Sequence, residues 1–267
     1  SIFTLGSSLI VAPNVLAQTA IDLSTWQQEG NPANGNWTVS TVGTSVLQSN
    51  NGNPTFFVSP DDFINSTFNG KFAVETTADN DYIGFVFGYQ SPLAANSDDF
   101  NDFDFFLFDW KQANQSFSGQ LAEEGFALSR VNGTINDFIP GFWGHSDSTE
   151  FDVLATDYGS DKGWLDNTEY EFTLLYQEER IKIDIDGATI FDVTPTDVGL
   201  PNFEAGKFGF YNYSQALVRY QGFTQQVTPP DPDPDPNPPS VPEPSMVLAI
   251  LTIAGLGRFS VRTSKQS

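Results

Sequence analysis

Two aspartate-rich stretches carry the side chains best suited to chemistry: Asp79-Asn80-Asp81, and a run holding Asp98, Asp99, Asp102 and Asp104. A hard cation such as calcium takes six to eight oxygens at about 2.3–2.6 Å from carboxylates, side-chain amides and backbone carbonyls on loops. Both stretches are therefore read as calcium ligands, the second adding to the first if the chain between them folds back. Asp and Asn also favour turns without any ion. Asp157 and Asp161, ahead of Gly163-Trp164, form a third candidate.

Catalytic patterns are sparser. A β-sandwich glycosidase strand of the form E-x-D-x-x-E aims its carboxylates into one cleft as nucleophile, helper and acid. Glu150-Phe151-Asp152 supplies the first two, but Ala155 stands where the second catalytic carboxylate belongs. His145 is the single histidine, in the loop Gly144-His145-Ser146-Asp147, so a metal site needing two imidazoles is excluded within one chain. Of the five tryptophans, which fill cores more often than they meet sugar rings, Trp143 beside Phe142 and His145 is the ligand-contact candidate, with His145 as its neighbour.

The elements that must position these groups read as strands. From about Ile21 to Gln226 the chain is rich in Phe, Tyr, Val, Ile and Thr, with turn residues every eight to twelve positions and no helical period. Lys71 to Thr76, Glu169 to Leu174 and Arg180 to Asp186 alternate as strands with one buried and one wet face. Asp186-Gly187 is a hairpin turn. Tyr82 to Tyr89 sets glycines among apolar residues, the mark of a central strand under close contact. With 25 Phe residues available to fill it, a sandwich of two antiparallel sheets is favoured over a closed barrel.

Composition sets the surroundings. Against 34 Asp and Glu the chain has 11 Lys and Arg, a net charge of −23, so its field repels nucleic acid and attracts cations. No cysteine occurs, which rules out disulfides and thiolate metal sites. Residues 1–17 resemble part of a signal peptide, with Val15 and Ala17 placed as cleavage-site residues. Residues 18–227 form the sandwich domain, and residues 228–240 alternate Pro with Asp as an extended stalk.

Residues 241–267 read as an address: Val241-Pro242-Glu243-Pro244-Ser245, then an apolar run from Met246 to Gly257, then Arg258, Arg262 and Lys265. As a helix the run would be roughly 18 Å long, short of a hydrocarbon core of about 30 Å. This order resembles the PEP-CTERM sorting signal of Gram-negative bacteria and cyanobacteria. The resemblance implies an exosortase-type processing enzyme as partner, a short hydrophobic helix held transiently in the inner membrane, and delivery to the outer surface or extracellular matrix.

A second resemblance lies inside the domain. Asp79 to Gln90, the Phe105 to Phe108 strand and Asp109-Trp110-Lys111-Gln112 follow the D-D-Y-x-G-F-x-F-G-Y-Q and F-x-x-x-x-W-K-Q strands of the thrombospondin C-terminal domain. Phe68 to Val74 precedes them, and Gly144, Leu154, Asp157, Gly163-Trp164, Tyr170 and Gly206 to Tyr211 follow in order, so the likeness runs from about Asn65 to Phe223. It implies a legume-lectin-like (concanavalin A-like) jelly roll that binds calcium and makes cell-surface or matrix contacts. This chain departs from the family in having only Ile21 to Ser59 ahead of the matched region and in the insertion Ser97 to Asp104. The expected protein is a non-enzymatic, calcium-dependent adhesion or glycan-binding module with an extracellular polysaccharide or matrix protein as partner. The alternative is a polysaccharide-active glycoside hydrolase of the same fold.

Overall fold

A computed structural model describes residues 18–90 and 102–227. The expectations for residues 1–17, 228–240 and 241–267, the sorting residues Val241 to Ser245 among them, lie outside the described residues, as do Asp98 and Asp99. In chain order the strands are β1 (Thr19–Ala20), β2 (Gln27–Glu29), β3 (Trp37–Val39), β4 (Ser45–Gln48), β5 (Thr55–Phe63), β6 (Ser66–Val74), β7 (Tyr82–Gln90) and β8 (Asp102–Lys111). They continue with β9 (Gln115–Phe117), β10 (Gln120–Ala122), β11 (Gly125–Thr134), β12 (Phe151–Tyr158), β13 (Glu169–Gln177), β14 (Arg180–Ile185), β15 (Ala188–Val193), β16 (Gly206–Tyr213) and β17 (Val218–Val227).

Two antiparallel sheets result. One runs β15-β14-β13-β6-β17-β4-β3 with β1 added along β17; the other runs β12-β11-β8-β7-β16-β5-β2. The alternation in β6 does what its sequence predicts, every second residue buried from Ser66 to Val74. The β14–β15 hairpin turns at Asp186-Gly187, both at positive φ, as a two-residue turn of matching twist requires. Between the sheets the phenylalanines pack as stacked and tilted pairs, such as Phe85 on Phe108 at 4.7 Å and Phe85 on Phe172 at 4.9 Å. Such pairs add about 0.5–1.5 kcal/mol each beyond the area they bury.

The seven-stranded sheet differs from the other in having no wet outer face along its central strands: β7 is buried from Tyr82 to Tyr89, in keeping with its reading as a central strand, and β8 from Phe105 to Lys111. A second apolar cluster, including Phe56, Tyr82, Phe103, Phe105, Phe142, Trp143, Tyr211 and Tyr213, fills that side. Its cover is a single wide helical turn, Ile139–Trp143, together with the small β9–β10 ribbon. Gly84 explains the glycine pattern in β7, since a Cβ there would lie 2.0 Å from the carbonyl oxygen of Phe108 on the neighbouring strand.

Phe142, fully buried under this cover, is a test of the second core. Its replacement by Ala is expected to cost about 3–5 kcal/mol in chemical denaturation, the loss typical of a core aromatic; a solvated outer face would give about 0.5 kcal/mol or less.

Candidate functional site

Register decides which loops meet. Tyr82 at the start of β7 pairs with Lys111 at the end of β8 and with Tyr213 at the end of β16, whose Asn212 pairs with Thr55 at the start of β5. Loops 51–53, 79–81, 112–115 and 214–215 therefore gather at one end of the seven-stranded sheet. There they surround a cavity of about 420 Å³, lined among others by Asn34, Asn51, Asn53, Asp79, Asp81 and Gln115. Phe117 on the β9–β10 ribbon, Trp143 and Tyr213 supply its aromatic wall. Asp79 accepts from the Asn51 side-chain amide and, at 3.0 Å, from the Asn80 backbone N–H.

Beneath the cavity sits a fully buried lysine. Lys111 Nζ donates to the Asn80 carbonyl at 2.6 Å, Asn80 Oδ1 at 3.1 Å, Asp81 Oδ1 at 2.9 Å and Gln115 Oε1 at 3.0 Å. The rings of Trp143 and Tyr82 lie 5.2 and 5.6 Å from the ammonium, within cation–π range. Asp81 is pinned further: its backbone N–H donates to Gln215 Oε1 and its carbonyl accepts from Trp164 Nε1. Both Asn80 oxygens and Asp81 Oδ1, on which the calcium expectation there rests, are thus engaged by an ammonium.

The second aspartate stretch lies elsewhere. Asp104 pairs across the ladder with Gln90, at the far end of the nine-residue β7 from Tyr82, which at about 3.4 Å per residue is roughly 27 Å away. Asp102 and Asp104 therefore cannot share an ion with Asp79 and Asp81, and Asp104 faces Arg130 at 3.7 Å instead. Asp157 pairs with Lys162 at 3.0 Å. Among the described residues no three acidic or imidazole groups surround a common centre.

The two ligand-contact candidates also separate. Trp143 lines the cavity, but it is 3% exposed and packs edge-on to Tyr82 and Tyr213. His145 is not on the cavity wall. Its Nε2 meets Asp109 Oδ2 at 3.0 Å and its Nδ1 meets the Tyr158 hydroxyl at 2.9 Å, so both ring nitrogens are spoken for inside the protein. With Asp109 ionised, the carboxylate accepts from Nε2–H and the Tyr158 hydroxyl donates to Nδ1. The exposed aromatic is Phe117, 51% accessible and 5.6 Å from the Trp143 ring, and sequence reasoning missed it along with Lys111, Gln115 and Gln215. Lys111 had a usable signal: a lysine closing the apolar run Phe103 to Trp110 must find oxygens wherever that strand is buried.

The sequence matches the family described as Thrombospondin C-terminal region over residues 32–228. Thrombospondin-2 of Gallus gallus is 28% identical over 204 residues, 69% of this chain and 16% of that protein. Cartilage oligomeric matrix protein of Rattus norvegicus is 28% identical over 152 residues, 54% of this chain and 19% of that protein. The chain thus spans only a small part of these curated relatives' length. Among solved structures, a carbohydrate binding module from Bacillus subtilis is similar with a TM-score of 0.47 at 13% identity, over 76% of this chain and 95% of that one.

Burial dominates the titration of the ion pair beneath the cavity. It lifts the Asp81 carboxyl from 3.8 to about 6 against the opposing pull of Lys111, and it lowers the Lys111 ammonium. A carboxyl raised in the native state binds its proton more tightly there than when unfolded, so its contribution to stability grows as pH falls from about 6 to 4. The stability difference between the wild type and Asp81→Asn, followed by denaturant titration, is expected to move in the wild type's favour over that window. A shift toward the variant on acidification would contradict it.

Proposed function

Because this chain belongs to the thrombospondin C-terminal region family, we propose that it is an exported, non-enzymatic contact module that binds an extracellular polysaccharide or matrix protein. The observation that carries this reading is the cavity at the end of the seven-stranded sheet. Side-chain amides of Asn34 and Asn53 offer paired donors and acceptors, the Gln115 amide nitrogen adds a donor while its oxygen holds Lys111, and Phe117 stands exposed beside them. Amides that grip hydroxyls, next to an aromatic face for a sugar's apolar side, are the means by which a neutral glycan is held. The acidic surround disfavours an anionic ligand.

Export is proposed from the sequence: the signal-peptide-like residues 1–17, the Pro-Asp stalk 228–240, and the tail from Val241-Pro242-Glu243-Pro244-Ser245 through its apolar run to its basic end. In this reading an exosortase-type enzyme processes the tail during a transient stay in the inner membrane. The module then reaches the cell surface or matrix.

Calcium enters the reading at the rim of the cavity, through Asp79. Asn53 and Ser214 offer neutral oxygens on the same cavity, whereas Asn51 turns its amide nitrogen to Asp79 and Asp81 is held by Lys111. One carboxylate with neutral oxygens makes a weak site, in the roughly 10⁻⁴–10⁻³ M range of extracellular modules. At about tenfold excess over Kd, calcium should raise the melting temperature of the wild type by about 3–6 °C and leave Asp79→Asn unmoved; equal behaviour of the two would remove calcium from this site.

The rival is a glycan-active enzyme. Glu150 accepts from Ser148 Oγ at 3.3 Å, Asp152 follows on β12, and Ala155 takes the place of the further carboxylate. Calorimetry of the full chain against a panel of neutral oligosaccharides and polysaccharides should find a binder without turnover, weakened about tenfold or more by Phe117→Ala. Turnover that vanishes in Glu150→Gln would overturn the reading.

A further inference from the structure

The Lys111 cage has the form of a cation site whose cation is covalently attached. Four oxygens from three residues converge on one point at 2.6–3.1 Å: the Asn80 carbonyl and side chain, Asp81 Oδ1 and Gln115 Oε1. These are ammonium distances; a dehydrated calcium ion would draw its oxygens to about 2.3–2.6 Å. Only one of the four oxygens belongs to a carboxylate, which balances a single positive charge and leaves a divalent ion short. The side chains of Lys111 and Asp81 are 0% and 3% exposed, which keeps bulk solvent away from the pair. Above and beside the ammonium, Trp143 and Tyr82 present ring faces, which suit an organic cation and are not ligands for a hard metal ion.

We infer that Lys111 is the resident cation of the Asn80–Asp81 loop: its ammonium fills the position that a metal ion would take there and organises the cavity wall without one. The cage joins the 79–81 loop, the end of β8, the β9–β10 ribbon through Gln115 and the Ile139–Trp143 turn through the Trp143 ring. These are the segments that carry Asp79, Gln115 and Phe117 to the cavity. The consequence for binding rests on the reading of that cavity as the contact surface; the resident cation itself does not. Calcium at the rim then adds to a wall that is already built.

Arg would not substitute, because a planar guanidinium with five donors is too wide for a cage closed around a point charge. Loss of the ammonium leaves the Asp81 carboxylate buried and unpaired, the costly way to break a buried ion pair.

The test uses the full chain, stripped with chelator, and needs no glycan. Proton–nitrogen NMR of lysine ammonium groups at neutral pH should show one slowly exchanging signal, absent in Lys111→Met; no protected signal in the wild type would overturn the inference even if that variant fails to fold. Lys111→Ala should melt about 10 °C below the wild type. Propylammonium chloride, compared with sodium chloride at equal ionic strength, should restore part of that loss in Lys111→Ala and leave the wild type unmoved. An equal response of both proteins would mean that the site does not select a cation, and would also overturn the inference. Because the readouts are exchange and melting, a failure of the glycan reading leaves them standing.

Discussion

Burial of the seven-stranded sheet on both faces is the constraint from which the rest of the structure follows. A sheet wet on one side can carry polar residues at every second position, whereas β7 and β8 have almost nowhere to put them. Most polar groups that remain on these strands are therefore bonded inward: Asp109 through Oδ2 to His145, Tyr82 to the Trp143 carbonyl, and Lys111 to its four oxygens, while the Tyr89 hydroxyl is buried without a partner. Within a low-dielectric interior each such group is expensive unless partnered, and the partners come from whichever loops lie nearest. The ion pair at the end of β8 thus fixes the loops as much as the loops fix it.

That coupling explains why the functional features collect at one end. Strand register brings the starts of β5 and β7 and the ends of β8 and β16 together, and the buried ammonium ties the cover of the second core to them. The cavity inherits an aromatic wall from Trp143 and Tyr213, and the loop beneath is held where the Asp81 backbone N–H donates to Gln215 Oε1. Such preorganisation reduces the entropy lost on binding a flexible ligand.

Much of the fold is legible in the sequence, and for local reasons. Alternation in β6, β13 and β14 reports a sheet with one buried face, and Asp186-Gly187 can adopt the positive φ pair that a tight hairpin needs. The glycine at 84 marks close strand contact because no other residue fits there. What the sequence conceals is non-local. Nothing in the spacing of Phe103, Phe105 and Leu107 distinguishes an outer face covered by residues 139–143 from one open to solvent. Trp143, read as a ligand contact, is inside and Phe117 outside for the same reason, since the cover decides which ring is buried. The aspartates mislead differently: Asp79 to Asp81 and Asp102 to Asp104 look close along the chain, yet an intervening nine-residue strand carries them to opposite ends. Lys111 is legible as a buried charge in need of oxygens, though not as the occupant of a site first read as calcium's.

A crystal structure of the full chain grown in millimolar calcium, at a resolution that separates an ammonium from a metal ion, tests the resident-cation site most directly. Lys111 Nζ is expected among the oxygens of Asn80, Asp81 and Gln115, with any calcium outside the cage beside Asp79. Calcium bound by Asn80 and Asp81 with the lysine displaced from the cage would contradict it.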